Sequence, residues 1–124
     1  MKIAEIFSQK EDFIAGNGVT KDEVLRAESE LGLSFSEEYK EYLMTFGLAM
    51  FDGHELTGLG RIERLNVILV TQQMRARFKD IPLDWYVIED AGIDNIVIWQ
   101  DSKGKIFFNN QEVYDSFSAY ISDM

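Results

Sequence analysis

The only histidine of the chain, His54, stands among carboxylates in Phe51-Asp52-Gly53-His54-Glu55-Leu56. A histidine beside acids could serve general acid–base catalysis or metal binding. Nucleophilic catalysis would need a serine held next to it, and no G-x-S-x-G turn frames one. Asp52, His54 and Glu55 cannot all converge on a metal from one strand, because neighbouring side chains point to opposite faces. There are no cysteines, which excludes disulfides, thiolate metal sites and cysteine nucleophiles. Asp and Glu number 22, enough for a glycosidase-like pair, yet no two are set apart by an apolar surrounding. Gly58-Leu59-Gly60 lacks the Lys-Ser/Thr of a phosphate loop. The residues therefore predict no catalytic set, no metal and no cofactor.

Charge narrows the partners, although a soluble surface with one basic helix accounts for it on composition alone. The formal net charge is −10, distributed as −7 over residues 1–60, +4 over 61–79 and −7 over 80–124. Phosphate contacts need basic surface, so nucleic acid and anionic membranes are poor partners, whereas a basic protein would be attracted quickly. Arg75, Arg77 and Gln72 on the one basic stretch could touch phosphates, but paired surface charge explains them as well.

The elements that must carry these residues are readable from period and punctuation. Length suits one domain, 1–124. Nine Phe, five Tyr and two Trp imply a bulky core. Ile3, Ile6, Phe7 and Ile14 suggest a first helix from Met1 to about Ile14, closed by Gly16-Asn17-Gly18. Thr20-Lys21-Asp22-Glu23 is a capping box opening a second helix, with Val24, Ala27, Glu28 and Leu31 on one stripe and Gly32 as its stop. Ser36 caps a third, with Tyr39, Tyr42, Leu43 and Phe46 inward and Gly47 at the end. A hairpin with Gly53 in the turn follows. Asn66 caps a fourth helix bearing Val67, Val70, Thr71, Met74 and Phe78 on one face. Residues 85–89, 95–101 and 105–109 read as an antiparallel meander, and Asp115 or Ser116 caps a last helix with Phe117, Tyr120 and Ile121. The order ααα-hairpin-α-βββ-α indicates an α+β fold, an antiparallel sheet covered by helices. Glu5 and Gln9 interrupt any apolar leader, no run is long enough to span a membrane, and a small domain without cross-links fits a reducing compartment, so a cytoplasmic location is expected.

Trp85, Tyr86 and Trp99 alternate with aliphatics on the expected strands. One set faces the core; an exposed aromatic ringed by Glu89, Asp90, Asp94 and Asp101 would make a protein-binding hot spot. The plain alternative is that both tryptophans are core.

The succession Glu28-x-x-Leu31-Gly32-Leu33, Phe35-Ser36-x-x-Tyr39-x-x-Tyr42-Leu43, Phe46-Gly47 and a glycine-rich hairpin from Gly53 to Gly60 resembles the SUKH superfamily, whose best-known eukaryotic member is a yeast regulator of cell-wall synthesis. The ending Ser116-Phe117-x-x-Tyr120-Ile121 is similar too. Ser36 departs from the family's usual proline, an alternative helix start. The resemblance implies a non-enzymatic α+β domain, in bacteria often an immunity protein that masks a toxin. On that reading the partner is a cognate toxin with a basic surface. Asp52, Glu55, Glu89, Asp90 and Asp94 steer it, and Trp99 anchors it. A regulatory scaffold domain is the alternative, and a carboxylate hydrolase the third.

Overall fold

The computed structural model describes residues 3–92 and 95–124. Its elements are α1 (Ile3–Ser8), β1 (Ile14–Ala15), α2 (Lys21–Leu31), α3 (Glu37–Phe46), β2 (Ala49–Phe51), β3 (His54–Glu55), a 3-10 turn (Glu63–Leu65), α4 (Val67–Arg77), β4 (Tyr86–Asp90), β5 (Val97–Gln100), β6 (Ile106–Phe108), β7 (Gln111–Tyr114) and α5 (Phe117–Ser122). Two antiparallel sheets result, ordered β1-β2-β3 and β4-β5-β6-β7. The class is α+β, as the alternation of periods implies. Among the described residues no helix is long and apolar enough to cross a membrane.

The helix starts follow their side chains. Thr20 and Glu23 close a reciprocal capping box, and Gly32 takes the left-handed conformation that ends α2. Ser36 accepts the Tyr39 N–H, Asn66 those of Ile68 and Leu69, and Ser116 that of Ala119. Glu28, placed by its spacing on the apolar stripe of α2, reaches the α2–α3 link and accepts the Phe35 N–H at 2.8 Å.

Two elements differ from the sequence reading. The first helix stops at Ser8 instead of continuing to Ile14. Asp12 adopts a positive φ that reverses the chain, and Ile14 then pairs with Met50 at the edge of the small sheet. The meander also gains a fourth strand, β7, whose exposed Gln111-Glu112-Val113 lacks the apolar alternation of a half-buried strand.

The larger sheet is covered on both faces. Tyr86, Ile88, Ile98 and Ile106 pack into a core shared with α1, α2, α3 and α5. Val87, Val97, Trp99 and Phe107 point the other way, against Val70 and Met74 of α4. This is why β5 is buried at every position, as strands between two layers are. Buried hydroxyls join the layers. Thr57 donates to the Val87 carbonyl at 2.7 Å and shares a hydrogen bond with Tyr39, while its own carbonyl accepts from Tyr42 at 2.8 Å. Tyr86 donates to Gln100, which also meets Ser36.

Close backbone crossing accounts for glycine at positions 18, 47 and 58. A Cβ on Gly18 would collide with the Met44 carbonyl, and one on Gly58 with the carbonyl of Gly47. The crossing is held by Leu59 N–H donating to Gly47 at 2.8 Å and Gly16 N–H to Leu48 at 2.8 Å.

Candidate functional site: an acidic end around Glu89

Glu89 is the pivot, and an irregularity in β4 places it. Val87 lies opposite Trp99, but Glu89 lies opposite Ile98, so Ile88 is an extra residue. Strict alternation would send Glu89 to the same face as Val87, toward α4. The bulge re-aims it to the other face, beneath α5. There it is only 5% exposed. Its carboxylate accepts the phenol of Tyr120 and meets His54 Nδ1 at 2.9 Å. A buried carboxylate is tolerable only with such partners. Burial pushes the Tyr120 phenol well above its ordinary value, and the neighbouring carboxylate raises it further.

The row continues across the sheet. Glu89, Ile98, Phe108 and Gln111 are successive partners in register. Phe108 leans on the rings of Tyr114 and Tyr120 and is 37% exposed. Tyr114, half-buried, donates to Asp123 at 2.5 Å, a bond that raises its own ionisation range. On the other side His54 packs against Phe51, over which Lys10 is poised while its Nζ donates to the Met124 carbonyl at 2.6 Å. Asp52, at positive φ in the hairpin turn, donates its N–H to the Glu11 carbonyl. Exposed Glu11, Asp12, Asp52, Asp90 and Asp123 thus lie around one end of the fold, with an aromatic strip among them.

The sequence-derived residues are distributed unevenly over this end. Asp52 and Asp90 are exposed within it, Asp90 also accepting the Gly92 N–H in a local turn. Glu89 is central, but as the buried support of His54 and Tyr120 rather than a surface charge. Glu55 points away from His54, as strand alternation requires, and is gripped by both Nη atoms of Arg64 at 2.8 and 2.6 Å. That bond holds its carboxyl below the usual range. Asp101, at the far end of β5, accepts the N–H groups of Lys103 and Lys105 and belongs to another turn. Asp94 lies outside the described residues. Trp99 cannot anchor a partner: it is 1% exposed, in the core beneath α4 and 6.5 Å from the ring of Trp85. The expectation of an open second face fails because α4 covers it. The aromatics that do reach the surface at this end are Phe108 and Tyr114, which the sequence pattern did not single out. Their adjacency to Asn109-Asn110, a turn at the same end as Asp90, is the signal that could have found them.

Chemically, the Glu89–His54 pair has the form of a carboxylate orienting an imidazole. Among the described residues His54 has no hydrogen-bonded hydroxyl that it could activate, and no group of three His, Asp or Glu side chains is placed to hold a metal. What the arrangement offers is a fixed acidic surface with an aromatic strip.

No curated protein shows significant similarity to the chain. A family model described as SMI1-KNR4 cell-wall, SUKH_5, matches residues 3–124. Every described element falls inside that match, and the chain belongs to the SUKH (SMI1-KNR4) family.

Proposed function

We propose that this domain acts by binding rather than by catalysis, and that it is an immunity protein which neutralises a toxin with a basic surface. The carrying observation is the acidic end: exposed acids around half-exposed Phe108 and Tyr114, with Lys10 occupied by the Met124 carbonyl. Such a surface accelerates encounter with a basic protein and supplies an aromatic anchor once contact is made. The family membership agrees, since immunity proteins are frequent among its bacterial members. Masking a toxin's active site requires no reaction from the inhibitor, only a surface complementary to a basic cleft.

The test is co-purification with the product of the adjacent reading frame, together with protection of cells expressing it. Replacing Asp52 and Asp90 by lysine is expected to slow association and weaken its salt dependence. Binding that is indifferent to both substitutions and to salt would sink the reading. The family model's cell-wall description favours a second reading, a scaffold domain regulating wall synthesis. A gene neighbourhood without any toxin, and capture of a wall-synthesis protein instead, would support it.

A further inference from the structure

The fold carries a second surface of opposite polarity. A cleft of about 770 Å³ lies over the small sheet, bounded by α2, by β1 and by the Leu59–Ile62 segment. Its apolar lining includes Leu48, Leu59, Ile68 and Ile14, the last 63% exposed.

The chain has five arginines. Arg64 grips Glu55, Arg75 donates to the carbonyls of Leu31 and Leu83, and Arg77 donates to Asn95. The other two, Arg26 and Arg61, have no hydrogen-bond or ion-pair partner among the described residues, and both line this cleft. In a chain with 22 acids, two unpartnered guanidinium groups beside one apolar trough mark a place where anionic groups are wanted. Glu23, also on the rim, already accepts the Thr20 N–H in the capping box. The walls are preformed, because the glycine crossing of Gly16, Gly47 and Gly58 fixes them by backbone hydrogen bonds. β1 is the outermost strand of its sheet, so one side of its main chain pairs with no other strand.

We propose that this cleft binds an extended acidic segment of a second protein. Carboxylates pair with Arg26 and Arg61, intervening apolar side chains occupy the trough, and the free side of β1 supplies main-chain hydrogen bonds. The inference is independent of the acidic end, which would meet a basic partner, and it gives the domain two faces for two different chains.

The test is titration of the isotopically labelled full chain with a short end-capped peptide alternating leucine and aspartate. A leucine–lysine peptide and a short single-stranded oligonucleotide serve as comparisons. Amide shifts at residues 14–17 and 60–62 are expected with the acidic peptide alone. Arg26→Glu with Arg61→Glu is expected to weaken it at least about ten-fold, while lysine at both positions retains part of the affinity. Both arginines are exposed, so these variants keep the fold, which the unshifted remainder of the spectrum verifies. The proposal is overturned by an unmoved cleft at millimolar peptide, by equal affinity in the glutamate variant, or by the oligonucleotide binding there as well as the peptide. Concentration-dependent shifts at the same amides without peptide would assign the cleft to a second copy of the chain and overturn it too.

Discussion

Glu89 and Tyr120, 31 residues apart, meet as a buried carboxylate and the phenol that donates to it. The bond ties the bulged strand β4 to the last helix. It also fixes the carboxylate that holds His54.

Removing the phenol hydroxyl tests that tie. Tyr120→Phe leaves Glu89 buried with only His54, and should cost about 2 kcal/mol, the scale for stranding a charged acceptor. In a Glu89→Gln background the same change should cost roughly half as much, because the acceptor is then neutral. Urea unfolding of the four proteins gives the coupling; strict additivity would show that the two groups do not interact.

The buried phenols predict an alkaline limit. Burial raises the ionisation of Tyr39, Tyr42, Tyr86 and Tyr120 above the ordinary tyrosine value. A raised folded value means that the stabilisation is complete below the unfolded value of about 10 and is lost as pH climbs above it. Each such tyrosine should remove about 1.4 kcal/mol per pH unit there, by linkage. Tyr120→Phe should lower the slope by one such increment. A denaturation midpoint independent of pH up to 11.5, about 1.5 units past the ordinary value, would contradict the burial of these groups.

Two glycines separate steric from conformational cost. Gly32 has positive φ and open space, so Gly32→Ala should cost about 1 kcal/mol. Gly58 has no room for a Cβ beside the Gly47 carbonyl, so Gly58→Ala should exceed that, reaching about 3 kcal/mol. Thermal midpoints check the order, and equal costs would refute the close crossing.

Trp99 and Phe108 should divide stability from binding. Trp99→Ala opens a cavity beneath α4 and should cost about 3–5 kcal/mol. Phe108→Ser, at a partly exposed position, should change stability by less than about 1 kcal/mol while weakening a partner at the acidic end by about 2 kcal/mol. Calorimetric titration beside denaturant unfolding distinguishes them; a binding loss confined to the tryptophan variant would move the interface elsewhere.

Local chemistry was legible wherever one side chain acts on its own backbone. Thr20, Glu23, Ser36 and Asn66 start their helices, and the stripes of α2, α3 and α4 face inward as their spacing requires. The site was less legible because a bulge changes the side of every later residue in its strand. Period-two reading puts Glu89 with Val87, and one inserted residue reverses it. The covered second face was signalled by the unbroken apolar Trp85-Tyr86-Val87-Ile88 and Val97-Ile98-Trp99, a pattern of strands packed on both sides. β7 was hidden because an edge strand can be almost wholly polar.

Helix α3 carries one more arrangement with a bearing on folding order. Glu41 accepts the Ile3 N–H of α1, and Glu38 accepts the Ser118 N–H of α5, contacts spanning 38 and 80 residues. The first and last helices each have only six residues, too few to persist alone. Both are therefore expected to condense onto α3 only after long loops have closed. Glu38→Gln and Glu41→Gln should consequently quicken unfolding and leave the refolding rate nearly unchanged, the kinetic mark of contacts made after the transition state. The first and last helices are thus fastened to one rod by two of its acids.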